Sequence, residues 1–144
     1  MDIHAVVTAL RQTCPDRSIE SRAVPIADTF VALPPNCVHA AVALLIEHFD
    51  LYHLSTITGQ DTGDEIELLY HFWDNSGLTL RTSLPRESPH IATLTDLVPG
   101  AAFYEREVSE MLGVVFDGHP NLHALLLPDD WESEPPMRRP EEQP

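Results

Sequence analysis

A run of alternating side chains at residues 65–73 constrains the fold more than any other part of the chain. Every second residue is apolar and lies on one face: Ile66, Leu68, Tyr70 and Phe72. This period of two is typical of a β-strand with one face in a core. Residues 74–77 read Asp-Asn-Ser-Gly, the composition of a hairpin loop, and residues 78–83 return with the same alternation. The chain therefore contains an antiparallel hairpin whose apolar face other elements must cover.

Three segments have the spacing of amphipathic helices: 3–13, 34–48 and 101–112. Asp2 is placed to cap the first of them, and Pro34 and Pro35 suit the first turn of the second. Gly113 is the residue type expected at a left-handed helix end. Each helix carries one apolar stripe, so each can pack against a sheet.

Further strands are predicted at residues 18–24, 29–33, 51–58 and 114–116. Together these elements predict an α+β fold, an antiparallel or mixed sheet with helices covering one face. Residues 1–128 form one domain. Residues 129–144 are acidic and rich in Pro, with few large apolar side chains. We expect them to form an extended tail that has little to pack against in this chain and becomes ordered on a partner.

The charge of the chain limits its partners. The formal net charge is −15, and all eight basic residues are Arg. Such a chain repels the phosphates of nucleic acid and the anionic surface of a membrane, so we expect no nucleic-acid partner. A protein partner, with a basic surface, suits this charge better. The alternative is that the charge serves only solubility.

The chain shows no segment for membrane insertion and no targeting signal. No apolar run approaches the ~18 to 20 residues that a membrane span requires, and the first residues lack the features of a signal peptide. We therefore expect a cytoplasmic protein, or one bound peripherally at the cytoplasmic face. In that compartment Cys14 and Cys37 are expected to be free thiols. Two cysteines are also too few for an iron–sulfur cluster with about four Cys ligands.

The candidate catalytic groups are arranged poorly for catalysis. Glu105 and Glu107 are two residues apart on a helix, so their carboxylates diverge. His119 and His123 have a spacing seen in metal sites, but Pro120 lies between them and no His-Glu-x-x-His motif is present. We predict no catalytic, metal-binding or cofactor-binding residues. A stand-alone metal-dependent hydrolase remains a distant alternative.

The charges of the third helix point to contacts instead. Glu105 is expected at the edge of the core, where it can pair internally. Arg106 and Glu110 are four residues apart and can pair along the helix. Glu110 also lies near the helix C-terminus, where the helix dipole disfavours a negative charge. We expect a cationic partner for it elsewhere.

The third helix and the residues after it form a long and specific motif. Its parts are Glu105-Arg106-Glu107, Glu110, Gly113, Phe116, Gly118-His119-Pro120 and Leu127-Pro128-Asp129-Asp130-Trp131. This order resembles the signature of the 30 kDa (NuoC-type) subunit of respiratory complex I. Pro136-Met137-Arg138-Arg139 resembles the tail of the same family. Ser109 and Leu112 stand where the family usually has aromatic residues.

The resemblance implies a cofactor-free structural subunit of a membrane-associated NADH (or other donor):quinone oxidoreductase. Such a subunit holds the large subunit that forms the quinone cavity and lies near iron–sulfur subunits. The equivalent subunit of an energy-converting [NiFe] hydrogenase is the alternative. The residues expected to contact the partner are Glu105, Arg106, Glu107, Glu110, His119, Pro120, Leu125, Leu127, Pro128, Asp129, Asp130, Trp131, Arg138 and Arg139.

Overall fold

The computed structural model describes residues 2–14, 20–24, 28–123, 126–128 and 130–140. Its helices are α1 (Ile3–Thr13), α2 (Val38–Phe49) and α3 (Ala101–Leu112), with a 3₁₀ turn at Pro35–Cys37. Its strands are β1 (Glu20–Val24), β2 (Asp28–Ala32), β3 (Leu54–Asp61), β4 (Glu65–Trp73), β5 (Gly77–Pro85), β6 (His90–Ala92) and β7 (Val115–Asp117).

The five longer strands form one mixed sheet in the order β1-β2-β5-β4-β3. The β4–β5 hairpin predicted from alternation is present, with Asn75 in the left-handed region of its loop. Strand β5 then lies between β4 and β2, and its pairing with β2 is parallel while the other pairings are antiparallel. Strands β6 and β7 form a separate parallel pair. The predicted α+β class with a mixed sheet is confirmed.

One face of the sheet packs into the hydrophobic core. The alternate residues of β4 predicted to face inward are buried: Ile66, Leu68, Tyr70 and Phe72. Helix α1 packs on α2, and α3 packs on β3. At Gly59 the approach of α3 is close, since a Cβ added there would lie 2.4 Å from Leu112 Cδ1. A side chain at this strand position would force the Leu112 side chain to shift within the buried interface between helix and sheet.

Several predicted boundaries shift. Strand β3 occupies Leu54–Asp61 instead of 51–58, and its pairing with β4 is interrupted between Leu54 and Thr56. The second helix begins with a 3₁₀ turn and becomes α-helical at Val38. Strand β6 was not predicted. The predicted strand positions 18 and 19 lie outside the described residues.

The expectation of free thiols is wrong for this structure. Cys14 and Cys37 form a disulfide with 5.7 Å between their Cα atoms. Packing of α1 on α2 brings the end of α1 next to the 3₁₀ turn, and both residues are buried. This proximity depends on tertiary packing, which the expected compartment of a protein does not report.

Candidate partner interface

Helix α3 presents two different faces. Its inner face buries Ala101, Val108 and Leu112 against the sheet, and the helix ends at Gly113 in the left-handed conformation (φ 76°), as predicted. Its outer face carries Phe103, whose surface is 62% exposed, and the exposed Glu107. A large apolar side chain so exposed on a charged helix face is a candidate contact residue.

Glu105 is buried among polar groups and does not belong to the outer face. Its residue exposure is 0%, and its carboxylate accepts hydrogen bonds from Thr93 Oγ1 (2.6 Å) and the Leu94 N–H (2.7 Å). The expected internal pairing is thus present, and the expected contact of Glu105 with a partner stays a prediction. Burial raises the pKa of Glu105. Burial, together with the nearby Glu105 carboxylate, also raises the pKa of Tyr70.

The raised pKa of Glu105 makes its contribution to stability fall as pH rises. Between the ordinary carboxyl pKa and the higher folded value, the unfolded chain has already lost the proton that the folded chain keeps. In that range the contribution of Glu105 to the free energy of unfolding therefore decreases as the pH rises. The two hydrogen bonds to the carboxylate make this decrease smaller, because they favour the ionised form and so act against the rise in pKa.

The His119 side chain connects α3 to the segment that follows β7 through hydrogen bonds. Its ring is 1% exposed. Nδ1 accepts a hydrogen bond from the Asn121 N–H (2.9 Å), so Nε2 carries the proton and donates to the Ala102 carbonyl (3.0 Å). Both ring nitrogens are therefore occupied by backbone groups. His119 therefore fixes the position of the segment after β7, and its expected contact with a partner stays a prediction.

Arg106 and Glu110 hold that same segment along α3. Arg106 Nε donates to the His123 carbonyl (3.1 Å). The Glu110 carboxylate accepts from the Leu126 N–H (2.8 Å to Oε2) and from the Leu127 N–H. These described contacts are with backbone groups. The cationic partner expected for Glu110 stays a prediction.

The rest of the motif is mostly at the surface. Pro120, Pro128 and Asp130 are exposed, and Leu127 is half-buried. Trp131 is also exposed, with its indole N–H directed to the Glu134 carbonyl (3.3 Å). Leu125 and Asp129, also expected at the interface, lie outside the described residues. We refer to Phe103, Glu107, Pro120, Leu126, Pro128, Asp130 and Trp131 as the α3 surface.

The C-terminal segment contacts the domain, contrary to the expectation that it has little to pack against. The Met137 N–H donates to the Met111 carbonyl (2.9 Å), and Arg138 Nε donates to the Leu112 carbonyl (2.5 Å). Carbonyls in the last turn of a helix have no partner within the helix, and a cation there is favoured by the helix dipole. The segment therefore caps α3. Its ordering on a partner stays a prediction.

An ion pair between the buried Asp61 and the half-buried Arg86 fixes the other side of this segment. The Asp61 carboxylate binds Arg86 through both oxygens (2.9 Å to Oδ1 and 3.0 Å to Oδ2 from Nε) and accepts the Arg139 N–H (2.8 Å). Arg86 Nη2 also donates to the Arg139 carbonyl (2.6 Å). The hydrogen bonds from the Arg86 guanidinium hold the pKa of Asp61 far below its usual range, against the effect of burial.

Sequence reasoning missed Asp61 and Arg86. Their signal is in the strand register: Asp61 pairs with Ile66, and Ile66 pairs with Leu84. Because Arg86 follows directly after β5, an acid and a base fall at the same end of three neighbouring strands. Recognising this required the register of β3, which the prediction placed incorrectly.

In the described residues no helix is long and apolar enough to cross a membrane. Within the same ranges, no group of three or more His, Cys, Asp or Glu side chains is placed to hold a metal ion. The region presents an exposed surface formed by α3 and the chain after β7, and hydrogen bonds from α3 side chains to backbone hold part of that chain in position.

Comparison with known proteins identifies the family. Residues 31–143 match the model of the family described as "Respiratory-chain NADH dehydrogenase, 30 Kd subunit". Because this match covers most of its length, the chain belongs to that family. It includes all the residues that carried the resemblance.

Named relatives come from more than one kind of complex. An NADH-quinone oxidoreductase subunit from Roseiflexus castenholzii is 33% identical over 143 residues, covering 94% of this chain and 82% of that protein. An F420H2 dehydrogenase subunit from Methanosarcina mazei is 40% identical over 92 residues, covering 60% of this chain and 58% of that protein. Two other NADH-quinone oxidoreductase subunits, from Roseiflexus and Nocardioides species, are matched over 41% and 31% of their length.

Solved structures share the fold. The trypsin-resistant fragment of Nqo5 superposes with a TM-score of 0.65 at 26% identity, over 85% of this chain and 100% of the fragment. A chain of the membrane-bound sulfane sulfur reductase, an archaeal respiratory membrane complex, superposes with a TM-score of 0.75 over 90% of this chain and 79% of that chain. Its sequence identity is 22%, so that second likeness concerns the fold alone.

Proposed function

We propose that this chain is a cofactor-free structural subunit of a membrane-associated respiratory complex of the NADH-quinone oxidoreductase type. It lies peripherally at the cytoplasmic face and holds the large subunit that forms the quinone cavity, near the iron–sulfur subunits. The donor is NADH or another reductant, since a relative is named for F420H2. The chain itself carries out no redox step.

The observation that supports this proposal is that the residues of the family motif have two different roles. Glu105, His119 and Glu110 turn inward or toward backbone groups and fix the geometry of the segment after α3. The α3 surface beside them stays exposed and combines aromatic, proline and acidic side chains. Exposed aromatic residues on a rigid support are typical anchors of protein interfaces.

The experiment compares two aromatic residues of equal exposure. Phe103 and Tyr52 are each 62% exposed, but only Phe103 lies on α3. We expect Phe103→Ala to reduce co-purification of the membrane-bound complex with the tagged chain, since truncating an anchor residue weakens binding by about 2 kcal/mol or more. Tyr52→Ala should leave the yield unchanged. Equal yields for both variants would contradict the placement of the interface.

The proteins recovered with the tagged chain also separate the two kinds of complex. A quinone-cavity large subunit is expected under the proposal. Recovery of a nickel-containing large subunit would instead favour the hydrogenase alternative. Recovery of the chain alone from solubilised membranes would contradict the structural-subunit proposal itself.

A further inference from the structure

Arginine is concentrated at one place in this acidic chain. A cavity of about 730 Å³ at the docked C-terminal segment is lined by three of the eight arginines: Arg86, Arg138 and Arg139. The whole chain has a formal charge of −15 and contains no Lys. A cluster of guanidinium groups in a cavity is a candidate anion site, because the planar fork matches an anion with two oxygens.

Two of these arginines are committed to holding the fold. Arg86 binds Asp61 through Nε and Nη2, which neutralises its charge. Arg138 donates from Nε to the Leu112 carbonyl and from Nη1 to the Arg86 carbonyl (2.8 Å). Both therefore act mainly as supports for the cavity wall.

Arg139 differs, because its backbone is anchored and its side chain is not. Its N–H donates to Asp61 Oδ2 (2.8 Å), and its carbonyl accepts from Arg86 Nη2 (2.6 Å). Among the residues that the structure describes, the Arg139 guanidinium makes no hydrogen bond or ion pair, and the residue is exposed. A fixed backbone with an available fork lowers the entropy lost when a ligand binds.

The surroundings favour a single carboxylate over a free phosphate. Glu134 lines the same cavity, and Asp64 and Glu87 line an adjoining cavity of about 560 Å³. These acids and the net charge repel a dianion more strongly than a group with one charge. A carboxylate also forms a bidentate pair with Arg, as Asp61 already does with Arg86.

We propose that Arg139 receives an acidic side chain, Asp or Glu, of the partner subunit. This inference rests on the proposed function, because the ligand belongs to the assembled complex. The acidic remainder of the chain suits a basic partner surface. A single contact with the charges reversed, a base on this chain and an acid on the partner, would fix the register in which the two surfaces meet. The cavity is thus a specificity contact and adds to the contacts made by the α3 surface.

The absence of Lys allows a direct test. Arg139→Lys introduces the only side-chain amine of the chain and keeps the charge at that position. A carbodiimide joins an amine to a carboxylate that touches it, with loss of water and no spacer. The assembled complex containing the variant is treated with carbodiimide and digested, and cross-linked peptides are identified by mass spectrometry. Arg11→Lys, at an exposed position in the last turn of α1, is the matched control.

The expected result is a cross-link from position 139 to an Asp or Glu of a partner subunit, with none from position 11. An intact complex in which position 139 is linked only to carboxylates of its own chain, or to none, would overturn the inference while leaving the proposed function in place. A chain that joins no complex would contradict the proposed function, and the inference with it.

Free inorganic phosphate provides the second arm. We expect millimolar phosphate to leave the melting temperature of the isolated chain unchanged relative to chloride at equal ionic strength. A saturable rise of melting temperature that is lost in Arg139→Gln and kept in Arg11→Gln would show a site for a free anion and would overturn the assignment to a partner side chain.

Discussion

The sheet and the region around α3 are stabilised in different ways. The sheet is held by apolar side chains whose burial follows directly from alternation along β4 and β5. The segments around α3 are held by charged side chains that bind backbone groups, as Glu110 binds the Leu126 and Leu127 amides and Arg138 binds the Leu112 carbonyl. Apolar packing is non-directional, whereas each of these hydrogen bonds specifies where one segment lies.

The difference between the two regions indicates which residues fix the geometry of a binding surface. A surface that must match a partner needs its loops fixed in position, and an apolar core alone does not fix loops. The acidic and basic residues of the family motif supply that constraint from within. In this motif, polar residues such as Glu110 and His119 bind backbone groups of the chain itself and so fix the loops beside the exposed surface.

The largest expected effect is in the sheet. Leu80 is fully buried at the centre of β5. Leu80→Ala should lower the free energy of unfolding by about 2–5 kcal/mol, through lost burial and the cavity that remains. Urea unfolding measures this value. If Leu80→Ala lowered the free energy of unfolding by less than Asp61→Asn does, the sheet would not be the main source of stability.

The next effect tests the polar side of the comparison. Asp61→Asn removes the charge that neutralises the half-buried Arg86, and we expect a loss of about 1–3 kcal/mol at neutral pH. Because the folded pKa of Asp61 lies far below the unfolded value, its contribution is complete above the ordinary carboxyl pKa and declines as pH falls below it. The difference between wild type and variant should therefore shrink in acid.

Asp64→Asn is the control for that measurement. Asp64 is exposed and lies close to Asp61 in the same turn. Unfolding curves collected from neutral pH down to about pH 3, below the ordinary carboxyl pKa, should show almost no difference between this variant and wild type. A pH-independent effect of Asp61→Asn would mean that lost packing, and not lost charge, explains its destabilisation.

A smaller effect concerns the junction of the two regions, where α3 lies on β3. Gly59→Ala places a methyl group 2.4 Å from Leu112 Cδ1 and 3.2 Å from Val108 Cγ1. We expect about 1–2 kcal/mol of destabilisation from overpacking. Gly100→Ala, where no atom beyond the adjacent residues lies within 4 Å of the added Cβ, should be nearly neutral. Thermal unfolding of both variants measures the difference, and equal stabilities would contradict the close approach of α3.

The parts of the molecule that sequence could predict are those governed by short periods. Alternation located β4 and β5, and residue types at the ends of α1 and α3 located Asp2 and Gly113. The register of β3 and the disulfide depended on packing between distant segments, and no local pattern reports that. Within the site, the family motif identified the right region, but the inward direction of Glu105 and His119 follows from tertiary contacts.

Contact between the α3 surface of this chain and a partner subunit is tested most directly by hydrogen–deuterium exchange of the free chain and of the same chain within the membrane-bound complex. We expect slower exchange in the complex for peptides from α3 and residues 118–131, with little change in α1. Unchanged exchange around α3, with new protection confined to α1 and α2, would contradict it.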